Sequence, residues 1–385
     1  MSNRWLILAA LTFARTVMGF QFQSLAAVAP FVIADFHIGY AALGTVIGLY
    51  LLPGVAVAIP GGVLAQHFGD KRMVLFGLAA MTLGGLMMAP GDETLLTAGR
   101  ILSGCGAVVL NVLLTKMTTD TFEGRELVTA LGVLITSWPL GIALALVTLP
   151  RLAAATSWQA AMLASAVLSA LALVLVAVAY RSRQTLSAAA RLRFDLARGE
   201  LALAVLAGLV WTFYNMSLIL VLTFGPAWLI AGGDTAAHAS MVVSLVSWLI
   251  LPAIPIGAFL ADRAGHPMTT MFSFFALGAL AIALLPFVGG APALLAAIGL
   301  IFGPPGGLIM ALPGQAAPAQ RRAPAMGVYF TVYYVGMGIA PGIAGFARDV
   351  SHSAAAPLWL AVAMLACAAL SLAVFRAVRR TEAAV

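Results

Sequence analysis

Two arginines stand inside long apolar stretches of the sequence, and they are the residues best placed to do chemistry there. Arg15 lies about ten residues into the first apolar stretch, and Arg100 lies about six residues inside the fourth. A charge held at the centre of a lipid bilayer costs about 2.5–3.5 kcal/mol on insertion scales. Such a charge therefore marks either a functional site or a strong internal contact.

Arg15 has no obvious acidic partner, because all thirteen Asp and Glu residues fall in predicted loops, tails or helix ends. A rise of 1.5 Å per residue places Arg15 near mid-depth of a membrane helix. A planar guanidinium can bind a carboxylate or a small oxyanion through two parallel hydrogen bonds. We therefore predict that Arg15 binds an anionic substrate. The alternative is that it bonds to backbone carbonyls or polar side chains where helices meet.

Arg100 allows two interpretations of a different kind. It lies near the end of its stretch, so its side chain can extend toward Asp92 or Glu93. Alternatively, it braces the packing of the helix that carries it. The sequence does not separate the structural role from a functional one.

Aromatic and polar residues at similar depth in other stretches are weaker candidates for the substrate site. Asn215 and Tyr214 rank first among them, because buried polar groups need partners and a binding site supplies them. For each aromatic residue the alternative is ordinary helix packing. The predicted substrate-binding residues are Arg15, Trp138, Trp211, Tyr214, Asn215, Tyr333 and Tyr334.

The composition places these residues in a membrane. Of 385 residues, 63% are hydrophobic and 9% are charged, with a mean hydropathy of +1.06. A soluble domain has about a quarter of its residues charged, and a membrane helix needs about 20 apolar residues. The alternating pattern of membrane β-strands is absent. The predicted spans are 4–32, 40–66, 73–92, 94–118, 127–150, 156–180, 201–231, 238–262, 268–288, 291–315, 325–347 and 355–377.

The chain divides into two related halves. The one long polar segment predicts a first six-helix bundle in 1–180, a linker in 181–199 and a second six-helix bundle in 200–385. The predicted fold is therefore an all-α membrane protein with twelve transmembrane helices in two pseudo-symmetric six-helix bundles. Such a repeat puts a substrate site near the midplane, between the halves. At a constant offset of 196 residues, Thr16 matches Thr212, Pro30 matches Pro226, Gly61 matches Gly257, Gly69 matches Gly265, and Arg125 matches Arg321.

Positive charge is concentrated on one side of this topology. If the N-terminus is cytoplasmic, sixteen of the twenty Lys and Arg residues lie inside, and only Arg151 and Arg348 lie outside. This is the positive-inside pattern, so the net charge of +7 needs no nucleic-acid partner. We predict that both termini and the linker are cytoplasmic. Cys105 and Cys367 stand singly within spans, which predicts no disulfide and no metal site, and we expect no cofactor.

Three motifs resemble the major facilitator superfamily. GVLAQHFGDKR (62–72), after span 2, is similar to the signature G-x-L-a-D-r-x-G-r-r-r, and AFLADRAG (258–265) echoes it after span 8. RILSGCG (100–106) in span 4 is similar to a second signature, R-x-x-x-G-x-G. The resemblance covers essentially the whole chain and implies alternating access, a monomer and the bacterial inner membrane. Within the superfamily the chain looks most like bacterial cyanate-permease-like members.

Two departures from the superfamily patterns bear on mechanism. Gln66 replaces the usual Asp of the first signature while Asp262 keeps it, so we expect an asymmetric charge latch carried mainly by Asp262 and Arg263. The antiporter signature of span 5 is missing, and TSWPLG (136–141) stands in its place. The residues predicted to act in coupling or conformational change are Asp70, Arg100, Arg125, Asp262, Arg263 and Arg321.

The sequence favours a secondary transporter of a small anionic solute. With no acid in a span core, we expect facilitated diffusion, exchange, or a proton carried on the substrate. An exporter of lipophilic or drug-like compounds is the alternative, because the spans are rich in aromatic residues. An enzyme is not expected, since HExxH, GxSxG and clusters of His, Cys and Asp within spans are absent. GPPGG (303–307) predicts an interruption of span 10, either as a hinge or site-forming segment or as a packing kink.

Overall fold

The computed structural model describes residues 4–180, 196–288, 291–318 and 321–382, without the side chains of 59–64, 66, 125, 258–264, 323 and 382. Every regular element in these ranges is a helix, which confirms the predicted all-α class. The helices are α1 (Arg4–Ala27), α2 (Ala29–Phe36), α3 (Tyr40–Gly48), α4 (Gly54–Phe68), α5 (Asp70–Met88), α6 (Glu93–Thr119), α7 (Gly124–Ala155), α8 (Trp158–Ala179), α9 (Arg198–Ala231), α10 (Ala236–Ala264), α11 (Pro267–Leu284), α12 (Ala291–Phe302), α13 (Pro304–Met310), α14 (Pro313–Ala316), α15 (Arg322–Ser351) and α16 (Ala356–Glu382).

Eleven segments of the described residues are long and apolar enough to cross a membrane. They correspond to all the predicted spans except span 2. That span is broken, although the sequence predicts one continuous helix over 40–66: α3 ends at Gly48 and α4 begins at Gly54. Pro53 has no N–H to continue the helix. Hydrogen bonds between residues three apart replace the regular helical pattern, including one from the Gly54 N–H to the Leu51 carbonyl at 2.9 Å.

Span 10 is interrupted where the sequence predicts it. α12 ends at Phe302 and α13 begins at Pro304, with Gly303 between them. Pro304 and Pro305 lack the N–H groups that would bond one turn back, so the carbonyls there lose their helical donors. The Gly306 N–H turns to the Gly303 carbonyl at 3.4 Å. The prediction of an interrupted helix is confirmed, and one freed carbonyl finds a side-chain partner described below.

The helices pack mainly within two groups. We call α1–α8 the N-terminal helices and α9–α16 the C-terminal helices; α1 packs on α7 and α8, and α9 packs on α15 and α16. Two seams join the groups, one between α3 and α15 and the other between α7 and α10. At the α3–α15 seam the backbones touch, because a Cβ on Gly48 would lie 1.8 Å from the Gly338 carbonyl oxygen. The boundaries predicted for the halves stay a prediction, since 181–195 lie outside the described residues.

The two ends of the bundle make different kinds of contact. At the end where residues 180 and 196 lie, which we call the linker end, ion pairs join helices of the same group, as Arg4 does with Glu126 at 2.7 Å. At the opposite end, the far end, contacts cross between the groups. The Gln23 amide donates to the Leu222 carbonyl at 3.0 Å, and Arg151 of α7 reaches the Met241 sulfur of α10 at 3.1 Å. The far end is therefore closed.

Local structure follows the 196-residue repeat at two of its pairs. The Thr16 hydroxyl donates to the Thr12 carbonyl at 2.9 Å, and the Thr212 hydroxyl donates to the Gly208 carbonyl at 2.7 Å. Gly69 and Gly265 both end a helix with positive φ, at 84° and 65°. That conformation favours glycine, which explains why this residue recurs at the offset.

Candidate functional site

Arg15 lies at the interface between the two groups of helices. It projects from α1 and interacts electrostatically with Tyr333 and Tyr334 of α15. Its side chain is half-buried, and its Nε has no hydrogen-bond partner among the described residues. Because Nε is buried, water cannot replace the missing acceptor freely, and an N–H group of a cation is left available. A ligand that brings acceptor oxygens would complete this environment.

Tyr334 and Asn111 extend the polar surface next to Arg15. Tyr334 is 2% exposed, and its hydroxyl oxygen accepts a hydrogen bond from the Asn111 amide at 3.3 Å. Asn111 belongs to α6, so this bond also crosses between the groups. Asn111 is not among the residues predicted to bind substrate. A carboxamide in the middle of an apolar span was the signal that could have identified it.

Trp211 lies in a cluster of aromatic rings of the C-terminal helices. We call Trp211, Tyr214 and Tyr333 the aromatic wall. The Trp211 ring centroid lies 6.2 Å from that of Tyr333 and is stacked 5.8 Å from that of Tyr214. The 196-residue offset relates Trp211 to Arg15, and both residues meet Tyr333. Pseudo-equivalent positions therefore supply a cation from one group and a flat apolar surface from the other.

Asn215 lies one turn beyond Trp211 on α9. Its amide N–H donates to the Trp211 carbonyl at 2.8 Å, and the side chain is half-buried. This bond occupies one of the two amide hydrogens and orients the side chain on the helix. The remaining amide hydrogen and the carbonyl oxygen are the groups with which Asn215 could contact a solute.

Tyr214 has a structural partner. Its side chain is 4% exposed, and its hydroxyl donates to the Phe302 carbonyl, next to the interruption of span 10. The GPPGG sequence leaves that carbonyl without its helical N–H donor, and the Tyr214 hydroxyl supplies the missing hydrogen bond. The sequence ranks Tyr214 among the first ligand candidates, whereas this contact favours a role in holding the broken helix.

Trp138 lies on α7 and contacts α1. Its ring packs at 5.4 Å from that of Phe22, and its carbonyl lies where a Cβ on Gly19 would approach to 2.4 Å. These contacts place Trp138 in the packing between α1 and α7. No described contact joins it to Arg15, Tyr333 or Trp211.

Arg100 is completely buried within the N-terminal helices, at 0% exposure. Its guanidinium donates to the carbonyls of Gln21 at 2.8 Å, Phe22 at 2.6 Å and Ile47 at 3.4 Å. It also lies 4.6 Å from the Tyr50 ring centroid, a cation–π distance. The guanidinium thus ties α6 to α1 and α3, and it does not extend to Asp92 or Glu93.

The other residues predicted to act in conformational change lie at the linker end. Asp70 pairs with Lys116, and Arg321 pairs with Glu200 at 2.9 Å, each within one group. The side chains of Arg125, Asp262 and Arg263 lie outside the described residues, so the predicted asymmetric latch stays a prediction.

Within the part of the chain that the structure describes, no group of three His, Cys, Asp or Glu residues is placed to hold a metal ion. Cys105 and Cys367 are free and half-buried. Around Arg15 the described side chains are instead aromatic rings and neutral amides.

Comparison with known proteins decides what kind of protein carries this surface. The Major Facilitator Superfamily matches residues 11–341. The chain belongs to this superfamily. The transporter is 26% identical to the uncharacterized transporter YycB of Bacillus subtilis (strain 168) over 349 residues, covering 86% of this chain and 84% of that protein.

Two further relatives carry more specific names. The transporter is 25% identical to the inner membrane transport protein YajR of Escherichia coli (strain K12) over 351 residues, covering 86% of this chain and 74% of that protein. It is 22% identical to the hexuronate transporter of Bacillus subtilis (strain 168) over 254 residues, covering 62% of this chain and 60% of that protein. The predictions of a multi-pass secondary transporter and of a protein that is not an enzyme are confirmed. The cyanate-permease-like subfamily stays a prediction.

Proposed function

We propose that this transporter carries a small organic anion with a flat or apolar body across the bacterial inner membrane by alternating access. Arg15 is the observation that carries the proposal. It is a cation at the interface of the two groups of helices, its buried Nε lacks an acceptor, and its described neighbours include no carboxylate.

The energetics of an unpaired guanidinium support an anionic substrate. Removing the partner of a buried charge is costly, because the charge is left without solvent or counter-ion. An incoming carboxylate restores that partner and accepts two parallel N–H bonds. Binding then occurs where both groups of helices can contact the anion, as alternating access requires.

The aromatic wall supports the second part of the proposal. Trp211 and Tyr333 have ring centroids 6.2 Å apart, and Tyr333 interacts with Arg15. Flat rings pack favourably on flat or apolar bodies and supply few hydrogen bonds. The name of the hexuronate transporter denotes an organic acid, which supports the anionic part but not a particular body.

Orientation and coupling belong to the same proposal. The sixteen-to-two distribution of basic residues supports a cytoplasmic linker end, so that the closed far end faces the outside. We infer a monomer, the form the superfamily resemblance implies, without a nucleic-acid partner.

With no acid in a predicted span core, transport proceeds by facilitated diffusion, by exchange, or with a proton on the substrate. Proton-dependent uptake of a substrate without a titratable group would contradict this coupling.

The alternative is an exporter of lipophilic or drug-like compounds. The rings of Trp211, Tyr329 and Tyr333 favour it, since they form one continuous cluster. Under this alternative Arg15 has only a structural role. Increased drug susceptibility of a deletion strain, with unchanged uptake of organic acids, would support it.

Thermal stabilisation of the purified transporter tests the proposal. A panel contains organic acids, inorganic anions, neutral solutes and hydrophobic cations, measured on wild type, Arg15→Gln and Arg15→Lys. A ligand at about 100 times its Kd stabilises a protein by about 2.7 kcal/mol. We expect an organic acid to stabilise the wild type most, Arg15→Lys less, and Arg15→Gln least. Stabilisation only by hydrophobic cations or neutral drugs, equal in all three proteins, would support the exporter instead.

A further inference from the structure

The N-terminus of α3 is capped by a residue of the other group of helices. Asp349 of α15 accepts hydrogen bonds from the backbone N–H groups of Tyr40 at 3.1 Å and Ala41 at 2.8 Å. The first N–H groups of a helix have no partner within it, and an aspartate carboxylate is among the favoured caps. Gly39, at the N-cap position, has no side chain that could do this. The helix start is thus completed across the far end of the α3–α15 seam.

The surroundings hold this cap in place. The Arg348 guanidinium lies 3.8 Å from the Tyr40 ring centroid and donates to the Ala227 carbonyl of α9 at 3.3 Å. A Cβ on Gly345 would lie 2.0 Å from the Tyr40 carbonyl oxygen, so the two backbones are in contact. Separation of α3 from α15 at this end would remove the cap, the ring contact and the backbone contact together.

The related seam between α7 and α10 has no such arrangement at the matching positions. The offset of 196 residues relates Gly39 to Thr235 and Asp349 to Ala153. The Thr235 hydroxyl accepts from the His238 N–H at 3.3 Å, so α10 is capped by its own residue. Ala153 has no group that could cap a helix. α10 therefore keeps its cap whether or not the groups separate, and α3 does not.

We propose that Asp349 is a conformational latch that biases the transporter toward the state closed at the far end. Alternating access requires the far end to open, and opening leaves the first N–H groups of α3 without a protein partner. The closed state alone gains the cap, so the cap shifts the ratio of the two states. The expected shift is about tenfold, which corresponds to about 1.4 kcal/mol, within the range of helix caps.

A variant that moves the cap into the helix itself separates this latch from simple helix stabilisation. Gly39 has φ −81° and ψ 171°, an extended conformation that serine adopts readily. A Cβ there would lie 2.6 Å from the Asp349 Oδ2, so Gly39→Ser also displaces the carboxylate. The double variant Gly39→Ser/Asp349→Ala keeps a cap on α3 and has no link across the seam.

Electron–electron double resonance measures the result. Spin labels replace Ala34 and Ser353, which are exposed at the far end in opposite groups, in a Cys105→Ser/Cys367→Ser background. The full-length proteins compared are wild type, Asp349→Ala, the double variant and Thr235→Ala. We expect the long-distance population to rise about tenfold in Asp349→Ala and in the double variant. Thr235→Ala is expected to lower the unfolding temperature without moving the distances.

Two results would overturn the latch. Distances that stay unchanged in the double variant, with an unfolding temperature near that of wild type, would show that the bond across the seam does not bias the states. An equal shift in Thr235→Ala and Asp349→Ala would show that any weakened helix start opens the far end. If Asp349→Ala does not fold, the double variant still decides between these outcomes, because its α3 retains a cap.

Discussion

Arg100 and Arg15 are two guanidiniums in the same six-span half of the chain, and their surroundings differ. Arg100 is completely buried, donates to three backbone carbonyls and faces an aromatic ring. Arg15 is half-buried at the interface between the groups, with a buried Nε that lacks an acceptor. The Nε of Arg100 lacks an acceptor as well, so the difference lies in the terminal nitrogens. Those of Arg100 donate to carbonyls of the protein, whereas those of Arg15 donate to no carbonyl among the described residues. A charge inside a span is a candidate for binding only when the fold leaves it unsatisfied.

The location of the two side chains strengthens this difference. Arg100 connects α6, α1 and α3, which belong to the same group, so rocking of one group against the other leaves its contacts intact. Arg15 faces α15 across the interface, so the same movement changes its surroundings.

Replacement of Arg100 is expected to have the largest effect on stability. Arg100→Gln cannot reach the carbonyls of Gln21, Phe22 and Ile47 together, which leaves buried acceptors without donors. We expect the free energy of unfolding to fall by about 2–4 kcal/mol, from the usual penalty for unsatisfied buried groups. Denaturant unfolding in detergent measures it, with Arg15→Gln as the matched control at less than about 1 kcal/mol. Equal losses in the two variants would show that the two arginines contribute alike to stability.

Replacement of Arg15 is expected to have the largest effect on ligand affinity. Hydrogen bonds to a charged group contribute about 1.5–3 kcal/mol, so Arg15→Gln is expected to weaken binding of the stabilising organic acid by about 10- to 150-fold. Arg15→Lys keeps the charge without the planar pair of donors and should lie between the two. Isothermal titration of the three proteins measures the Kd. Unchanged affinity in Arg15→Gln would remove Arg15 from the site.

Tyr214 and Tyr333 of the C-terminal helices are expected to differ in the same way, one in stability and the other in ligand affinity. Tyr214→Phe removes the donor to the Phe302 carbonyl, and we expect a loss of about 1 kcal/mol in the free energy of unfolding with little change in affinity. Tyr333→Phe, beside Arg15, should change affinity and leave stability nearly unchanged. Unfolding and titration of both variants check the pair. The reverse assignment of effects would make Tyr214 the ligand and Tyr333 the structural residue.

Asn111 is expected to give the smallest effect. Its bond to the Tyr334 hydroxyl crosses between the groups, and such bonds within membranes contribute about 0.6 kcal/mol on average. Asn111→Leu should therefore lower the free energy of unfolding by about this amount. A loss as large as that of Arg100→Gln would mean that this bond, rather than the α3–α15 backbone contact, holds the groups together.

Some features of the site follow from the sequence and others do not. Arg15 is recognisable as a lone cation in a span, and the GPPGG break of span 10 follows from two missing N–H groups. The different roles expected of Tyr214 and Tyr333 do not follow from the sequence, because both are aromatic residues of apolar spans. The direction that each hydroxyl faces depends on helix rotation. The break in span 2 does not follow from the sequence, since Pro53 alone is tolerated in many membrane helices.

The amino-acid sequence by itself determines an all-helical membrane protein with a 196-residue repeat and a one-sided distribution of arginines. These properties are local: lipid requires each span to satisfy its backbone hydrogen bonds internally, and hydropathy and loop charge are read along the chain. Tertiary structure alone decides which charges are satisfied. Arg100 meets the Gln21 carbonyl across 79 residues, and Asp349 caps the helix that begins at Tyr40 across 309. Such pairings depend on how helices are rotated and packed, which no spacing along the chain encodes.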